Sequence, residues 1–238
     1  MKLLDEVRQK IRMKHYSYST EKTYVSWIKR YILFHNKRHP NDMGETEIAE
    51  FLSYLATKRN VAASTQNQAL NSIIFLYKYV LKKPLNETIN FCRAKKPMHL
   101  PTVLTRAEIC TIFQFLEHPI DNLMLNLIYG TGMRLSECNN LRIKDIDFDQ
   151  NQILIRDAKG FNDRLTMLPQ KLKNSLKIQV NQVKVIHQRD LKNGYGSVYL
   201  PYALEKKYPN AGKKFAWQFI FPSNSMFKCT QASFVVAA

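Results

Sequence analysis

The sequence predicts a mainly α protein with one small β-hairpin: a four-helix bundle followed by an α+β domain. Three observations carry this. Apolar residues recur at three- and four-residue spacing through the first 83 residues. The stretch KKPLNETINFCRAKKPMHLP then breaks that rhythm with three prolines and five basic residues. Beyond it, NQILIRDAKGFNDRLTMLP alternates apolar residues around a turn-rich centre, the pattern of a hairpin.

The bundle occupies residues 1–83. LLDEVRQKIRMKHY places Leu4, Val7 and Ile11 on one helical face. In SYSTEKTYVSWIKRYILFHNKRHP, Ser19 or Thr20 is the expected N-cap, with Glu21 in the first turn. Tyr24, Trp27, Ile28, Tyr31 and Phe34 form its apolar stripe, Trp27 is assigned to core packing, and Pro40 ends the pattern. ETEIAEFLSYLATKR makes a third helix. A fourth starts near Ser64, with Leu70, Ile73, Ile74, Tyr77 and Leu81 on one face.

Residues 84–101 read as an extended basic linker, and the second domain as 102–238. TRAEICTIFQFLEHP and IDNLMLNLIYG are helical, the latter apolar almost all round and so expected to be buried. MRLSECNNLRIKDIDF is a short helix entering a turn. Ile153 and Ile155 precede the hairpin turn; Leu165, Met167 and Leu168 follow it. Helix resumes from Pro169 to about Asp190, then a short helix starts at Ser197 or Pro201, and WQFIFPS is a strand. NSMFKCTQASFVVAA has neither helical face nor cap, and no internal repeat is visible.

The formal charge is +17 and the pI about 9.7. Up to Lys95 there are 17 basic and 8 acidic residues, an excess of 9; the remaining 36 − 17 = 19 and 19 − 8 = 11 leave 8. Both halves are therefore basic, which points to a polyanion touching both, nucleic acid above all. No apolar run spans a bilayer, and MKLLDEVRQK turns acidic at Asp5, unlike a secretory signal, so a cytoplasmic protein without membrane partners is expected. Cys92, Cys110, Cys138 and Cys229 are scattered without metal-ligand spacing, so reduced thiols and no metal are expected.

In YGTGMRLSECNNLR, Arg134 follows a Gly-Thr-Gly turn at a helix start, where backbone N–H groups favour an anion. A guanidinium there can grip a phosphate through two parallel hydrogen bonds, and Glu137, one turn on, can hold it. The competing reading is a surface ion pair at i, i+3. Lys159, in the hairpin turn RDAKGFNDR, can reach a backbone phosphate or protonate a leaving oxygen; alone it reads as a solvated turn lysine, and it gains meaning from its pairing with Arg134.

GTGMRLSECNNLRIKDIDFDQNQILIRDAKGFNDRLTMLP resembles the first half of the catalytic domain of tyrosine site-specific recombinases. Residues 1–83, with YSYSTEKTYVSWI, are similar to that family's SAM-like core-binding domain. SVYLPYALEKKYPNAGKKFAWQFIFPS, around residues 190–212 and beyond, resembles the inserted helix of the integron integrases, which move gene cassettes. The resemblance implies a clamp around DNA and strand exchange through a 3′-phosphotyrosine, with no cofactor. It also implies double-stranded and folded single-stranded recombination sites as partners, and a homotetramer in the intact family. It puts the catalytic arginine at Arg134, its acidic support at Glu137 and the hairpin lysine at Lys159. By the same resemblance Pro201 and Trp217 pack or stack on extruded bases, core packing being the other reading of Trp217. Arg142, Lys144 and Arg164, with Lys95 and Lys96 of the linker, are the expected further DNA contacts.

The family also uses an H-x-x-R block and a tyrosine nucleophile. After Phe221 there is no histidine, arginine or tyrosine. HNKR at His35–Arg38 has the spacing but lies in the bundle, and Tyr195, Tyr199, Tyr202 and Tyr208 read as packing or base-contacting residues. The expectation is a C-terminally truncated, DNA-binding recombinase without its nucleophile. The alternatives are a recombinase whose missing residues lie beyond this chain, a non-enzymatic remnant or pseudogene product, and a basic helical protein for RNA or membrane surfaces.

Overall fold

The computed structural model describes residues 3–83, 85, 94, 100–158, 162–201, 203–223, 226–228 and 235–237. The chain divides into two compact units, Met1–Pro101 and Thr102–Ala238. The mainly helical class with one small hairpin, expected from the periodicities, is what the chain adopts.

The first unit holds α1 (Leu3–Met13), α2 (Tyr18–Phe34), α3 (Glu45–Thr57) and α4 (Ala63–Phe75), α4 running on as a π-helical turn over Leu76–Val80. Trp27, Tyr31, Phe51, Leu52, Leu70 and Ile73 share one buried cluster; Val7, Ile11, Ile28, Phe75 and Leu76 share a second. Trp27 is in the core, as its spacing predicts, and its indole N–H donates to Gln68 Oε1 at 3.2 Å. The α2 cap differs from expectation. Ser17, extended at φ −63 and ψ 152, turns its hydroxyl back to accept from Thr20 N at 3.2 Å, so the helix starts before Ser19 or Thr20.

α2 also stops earlier than Pro40, because Asn36 and Lys37 turn left-handed at φ 54 and 63. His35 and Arg38 of the HNKR run both serve α3. His35 Nε2 lies 2.9 Å from Glu47 O, and Arg38 donates to the Glu47 carboxylate at 2.9 Å. Asn67 of α4 grips Ala94 at two points: its Nδ2 donates to Ala94 O at 2.9 Å and its Oδ1 accepts from Ala94 N at 3.1 Å. Lys95 and Lys96 lie outside the described residues.

The second unit begins with α5 (Arg106–Gln114), opened by a reciprocal cap between Thr105 and Glu108, and α6 (Pro119–Thr131). α6 is not buried all round. Leu123 and Leu127 face the core, while Leu125 is partly exposed and Tyr129 exposed, and α5 buries no residue. α7 (Leu135–Asn139) leads into a 3-10 turn over Ile143–Asp145.

A three-stranded antiparallel sheet follows in the order β1 (Ile146–Asp147), β2 (Gln152–Ala158), β3 (Asn162–Met167). Ile153 pairs with Thr166 and Ile155 with Arg164. Directly opposed residues share a face, so the polar Thr166 and Arg164 stand on the buried isoleucines' side while Leu165 and Met167 point to solvent. Leu168 is buried, as expected of the strand's end.

α8 (Lys173–Lys192) packs Leu176 and Val183 inward, and α9 (Leu204–Lys207) is a single helical turn after it. WQFIFPS is not a strand: Phe215–Trp217 is a 3-10 turn and Phe219 makes a single bridge to Arg142. β4 (Met226–Lys228) pairs with β5 (Val235–Ala237). Among the described residues no helix is long and apolar enough to cross a membrane. Cys138 is buried and Cys110 exposed, both free; Cys92 and Cys229 lie outside the described residues.

Candidate DNA phosphate site

Why Gly-Thr-Gly precedes Arg134 is visible in the turn. Any Cβ on Gly130 would lie 2.8 Å from Pro169 Cγ, so α6 approaches the segment after β3 only with glycine there. Gly132 ends α6 in the left-handed conformation at φ 65. Thr131 O accepts from Thr166 Oγ1 of β3 at 3.2 Å, fastening the turn to the hairpin. Arg134 is thereby the N-cap of α7, extended at φ −77 and ψ 156.

Glu137 is the hub. Its side chain is only 6% exposed. It accepts from Arg134 N at 2.8 Å and Arg134 Nη1 at 2.6 Å. Arg164, 27 residues on, donates to the same carboxylate from Nη1 at 3.0 Å and Nη2 at 2.6 Å. The Arg164 bonds first, then those from Arg134, outweigh burial and hold the Glu137 carboxyl at about 2. Arg134 remains 55% exposed, and among the described residues its Nε and Nη2 donate to nothing. The helix start contributes less than the sequence suggests, because α7 has five residues and the N–H of its cap is taken by Glu137. What faces outward is a guanidinium braced on one edge by Glu137 and, among the described residues, open on the others. Lys159, which the sequence expectation puts beside Arg134, lies outside the described residues.

The other expected DNA contacts separate by burial. Arg142, expected as a contact, is 8% exposed, and its guanidinium donates to Trp217 O at 2.7 Å and Tyr199 O at 2.8 Å while lying 4.4 Å from the Phe219 ring centroid. Burial pushes its pKa down. It is a strut that ties Tyr199 and Trp217 to the start of the 3-10 turn at Ile143. Lys144 Nζ sits 3.6 Å over the Trp217 ring and 4.0 Å from Asp145 Oδ1, and desolvation lowers its pKa. Trp217 is half-buried, between the core and stacking roles weighed for it. With Pro201 it lines a cavity of about 290 Å³ that also touches Glu137, Asn140 and Tyr199. Two residues escaped the sequence reading. Buried Asp145 accepts from Arg156 Nε at 2.6 Å, bracing β2. The outward position of Arg156, between inward Ile155 and the strand end, is the one hint the alternation contains.

With this geometry in view, the comparisons place the chain. Residues 3–87 match the model of the phage integrase N-terminal SAM-like domain, and residues 102–222 match that of the phage integrase family. The chain belongs to the phage integrase family. An integrase/recombinase of Escherichia coli is 42% identical over 225 residues, which are 94% of this chain and 66% of that protein. This family member therefore spans just under two thirds of that relative's length. Among solved structures, the Tn1549 transposon integrase in complex with transposon right end DNA has a TM-score of 0.57 at 15% identity, covering 84% of this chain and 68% of that one. The XerH site-specific recombinase bound to difH has 0.55 at 22%, covering 76% and 58%. At such identities these share the fold with this phage integrase domain.

Proposed function

We propose that this chain binds DNA through both basic units and holds a scissile phosphodiester on Arg134, as part of a tyrosine recombinase that carries out site-specific integration and recombination. The observation that supports this most is a solvent-facing Arg134 braced by Glu137 inside the segment matching the phage integrase family. Two arginines on one buried carboxylate leave a net positive site, suited to the negative charge that builds up on a phosphoryl transition state. Lys159 is the general acid for the leaving 5′-oxygen. Lys95 and Lys96 add backbone contacts. Pro201 and Trp217, on the cavity beside Glu137, take extruded bases of a folded single-stranded cassette site, which is the integron-type reading. Residues 1–238 contain no tyrosine beyond Tyr208 and no H-x-x-R in the second unit, so this polypeptide binds without cleaving. Tetramer assembly, as in intact recombinases, and action in the cytoplasm complete the proposal.

The test is a suicide-substrate assay with this polypeptide, paired with binding to a folded single-stranded site at two salt concentrations. Binding that falls steeply with salt and yields no covalent band is expected. A covalent protein–DNA band would refute the non-cleaving reading and favour the enzyme reading. Affinity indifferent to salt would remove the DNA interface itself.

A further inference from the structure

Resting on that reading of Arg134, we propose that Arg164 is a positioning residue rather than a DNA contact: it occupies the Glu137 carboxylate so that Arg134 keeps its charge and its open edges for phosphate. Three observations converge on it. Arg164 is paired bidentately, both Nη atoms reaching Glu137, at 3.0 and 2.6 Å. The donors of its planar fork that face the carboxylate are thus spent inside the molecule. The register Ile155↔Arg164 turns the side chain toward the buried face of the hairpin, away from the side that carries exposed Leu165 and Met167. The Arg164 bonds are also the largest influence holding the Glu137 carboxyl down.

The electrostatics explain why a second arginine is useful. Arg134 alone with Glu137 makes a neutral pair, and a phosphate would have to compete with a carboxylate for the same guanidinium. Adding Arg164 gives two positive charges to one negative, and the group as a whole keeps an unbalanced positive charge beside solvent-exposed Arg134. The tie also spans two elements, since Arg164 is on β3 and Glu137 on α7. It therefore fixes the hairpin relative to the turn that carries Arg134. A lysine would supply the charge with one point of attachment and lose the fork.

A double-mutant cycle on the full chain tests this, with binding of a short labelled DNA duplex at low salt as readout. Arg134→Ala alone should weaken binding about tenfold, the order expected for a charge-assisted contact. In an Arg164→Ala background the same change should cost only about twofold, because Arg134 is by then drawn onto Glu137. Arg164→Lys should behave like Arg164→Ala despite its charge, and it guards against simple misfolding. The Glu137 carboxyl, followed by carbon NMR, should titrate upward from about 2 in Arg164→Ala. Losses that multiply in the double variant, with Arg164→Lys near wild type, would identify a direct DNA contact and overturn the proposal. An unchanged Glu137 titration would overturn it as well. If Arg134→Ala alone leaves binding unchanged, the phosphate role of Arg134 falls and this inference falls with it, a pattern distinct from the other two.

Discussion

Replacing Arg142 with methionine isolates the strut that holds Tyr199 and Trp217. The change keeps an apolar stem but leaves Tyr199 O and Trp217 O without their donor. Hydrogen bonds to a charged group are worth about 1.5–3 kcal/mol each, so the two together represent about 3–6 kcal/mol gross. Against this, the guanidinium no longer has to be buried, and that relief is also several kcal/mol. The depressed pKa of Arg142, caused first by desolvation, shows that this cost is present. With about half of the gross term surviving that offset, the net loss is about 2 kcal/mol, which for a unit of this size lowers Tm by ~5–10 °C. Calorimetry reads the shift. Amide exchange at Ile143 and Ile220, whose N–H groups bond Gln218 O and Leu141 O beside the strut, should accelerate in step. Unchanged Tm and exchange together with weakened DNA binding would refute this reasoning and return Arg142 to the DNA surface.

Three further perturbations probe the framework. The folded pKa of Glu137 is depressed from 4.5 to about 2, so its stabilisation is fully present above the ordinary carboxylate range and is lost as pH falls from about 4.5 toward 2. Glu137→Gln should accordingly be less stable than wild type near neutral pH, with the gap in denaturant midpoint closing across that acid window. Gly130→Ala sets a Cβ 2.8 Å from Pro169 Cγ, an overlap with a half-buried ring that should cost about 1 kcal/mol in chemical denaturation. Asn67→Ala removes both bonds to Ala94, so the Ala94 amide should exchange at least ~tenfold faster while the rest of the bundle holds its protection.

Element existence was legible wherever one period dominated. The 3.6-residue stripes locate α1 to α4, and the buried Val7, Ile11, Trp27, Ile28, Tyr31, Leu70 and Ile73 are the residues those stripes name. Boundaries were less legible, because they rest on single side chains: Ser17 rather than Ser19 caps α2, and two left-handed residues end it before Pro40. Apolarity misled twice. α6 reads as a buried helix yet presents Tyr129 to solvent, and β3 turns its apolar residues outward. In β3 the register is set by pairing with Ile153 and Ile155, so the inner face receives Arg164 and Thr166. Apolar-in reasoning inverts that strand and conceals the partner of Glu137.

The basic residues show why composition can suggest a polyanion partner without assigning its contacts. Charge is a property of the sequence, but availability of charge is a property of packing. Arg134, Arg142 and Lys144 are near neighbours in the chain and Arg164 sits on β3, and all four are candidate DNA ligands by sequence. Burial and partners divide them. Arg142 donates to two carbonyls and Arg164 to one carboxylate, Lys144 lies on an indole face, and Arg134 alone of the four is more than half exposed. A guanidinium is useful to a phosphate only if its donors are unspent and its geometry is held, and those two requirements pull against each other in a single residue. The division proposed above, in which Arg164 spends its fork inward on Glu137 and leaves Arg134 free for phosphate, resolves that conflict with one shared carboxylate.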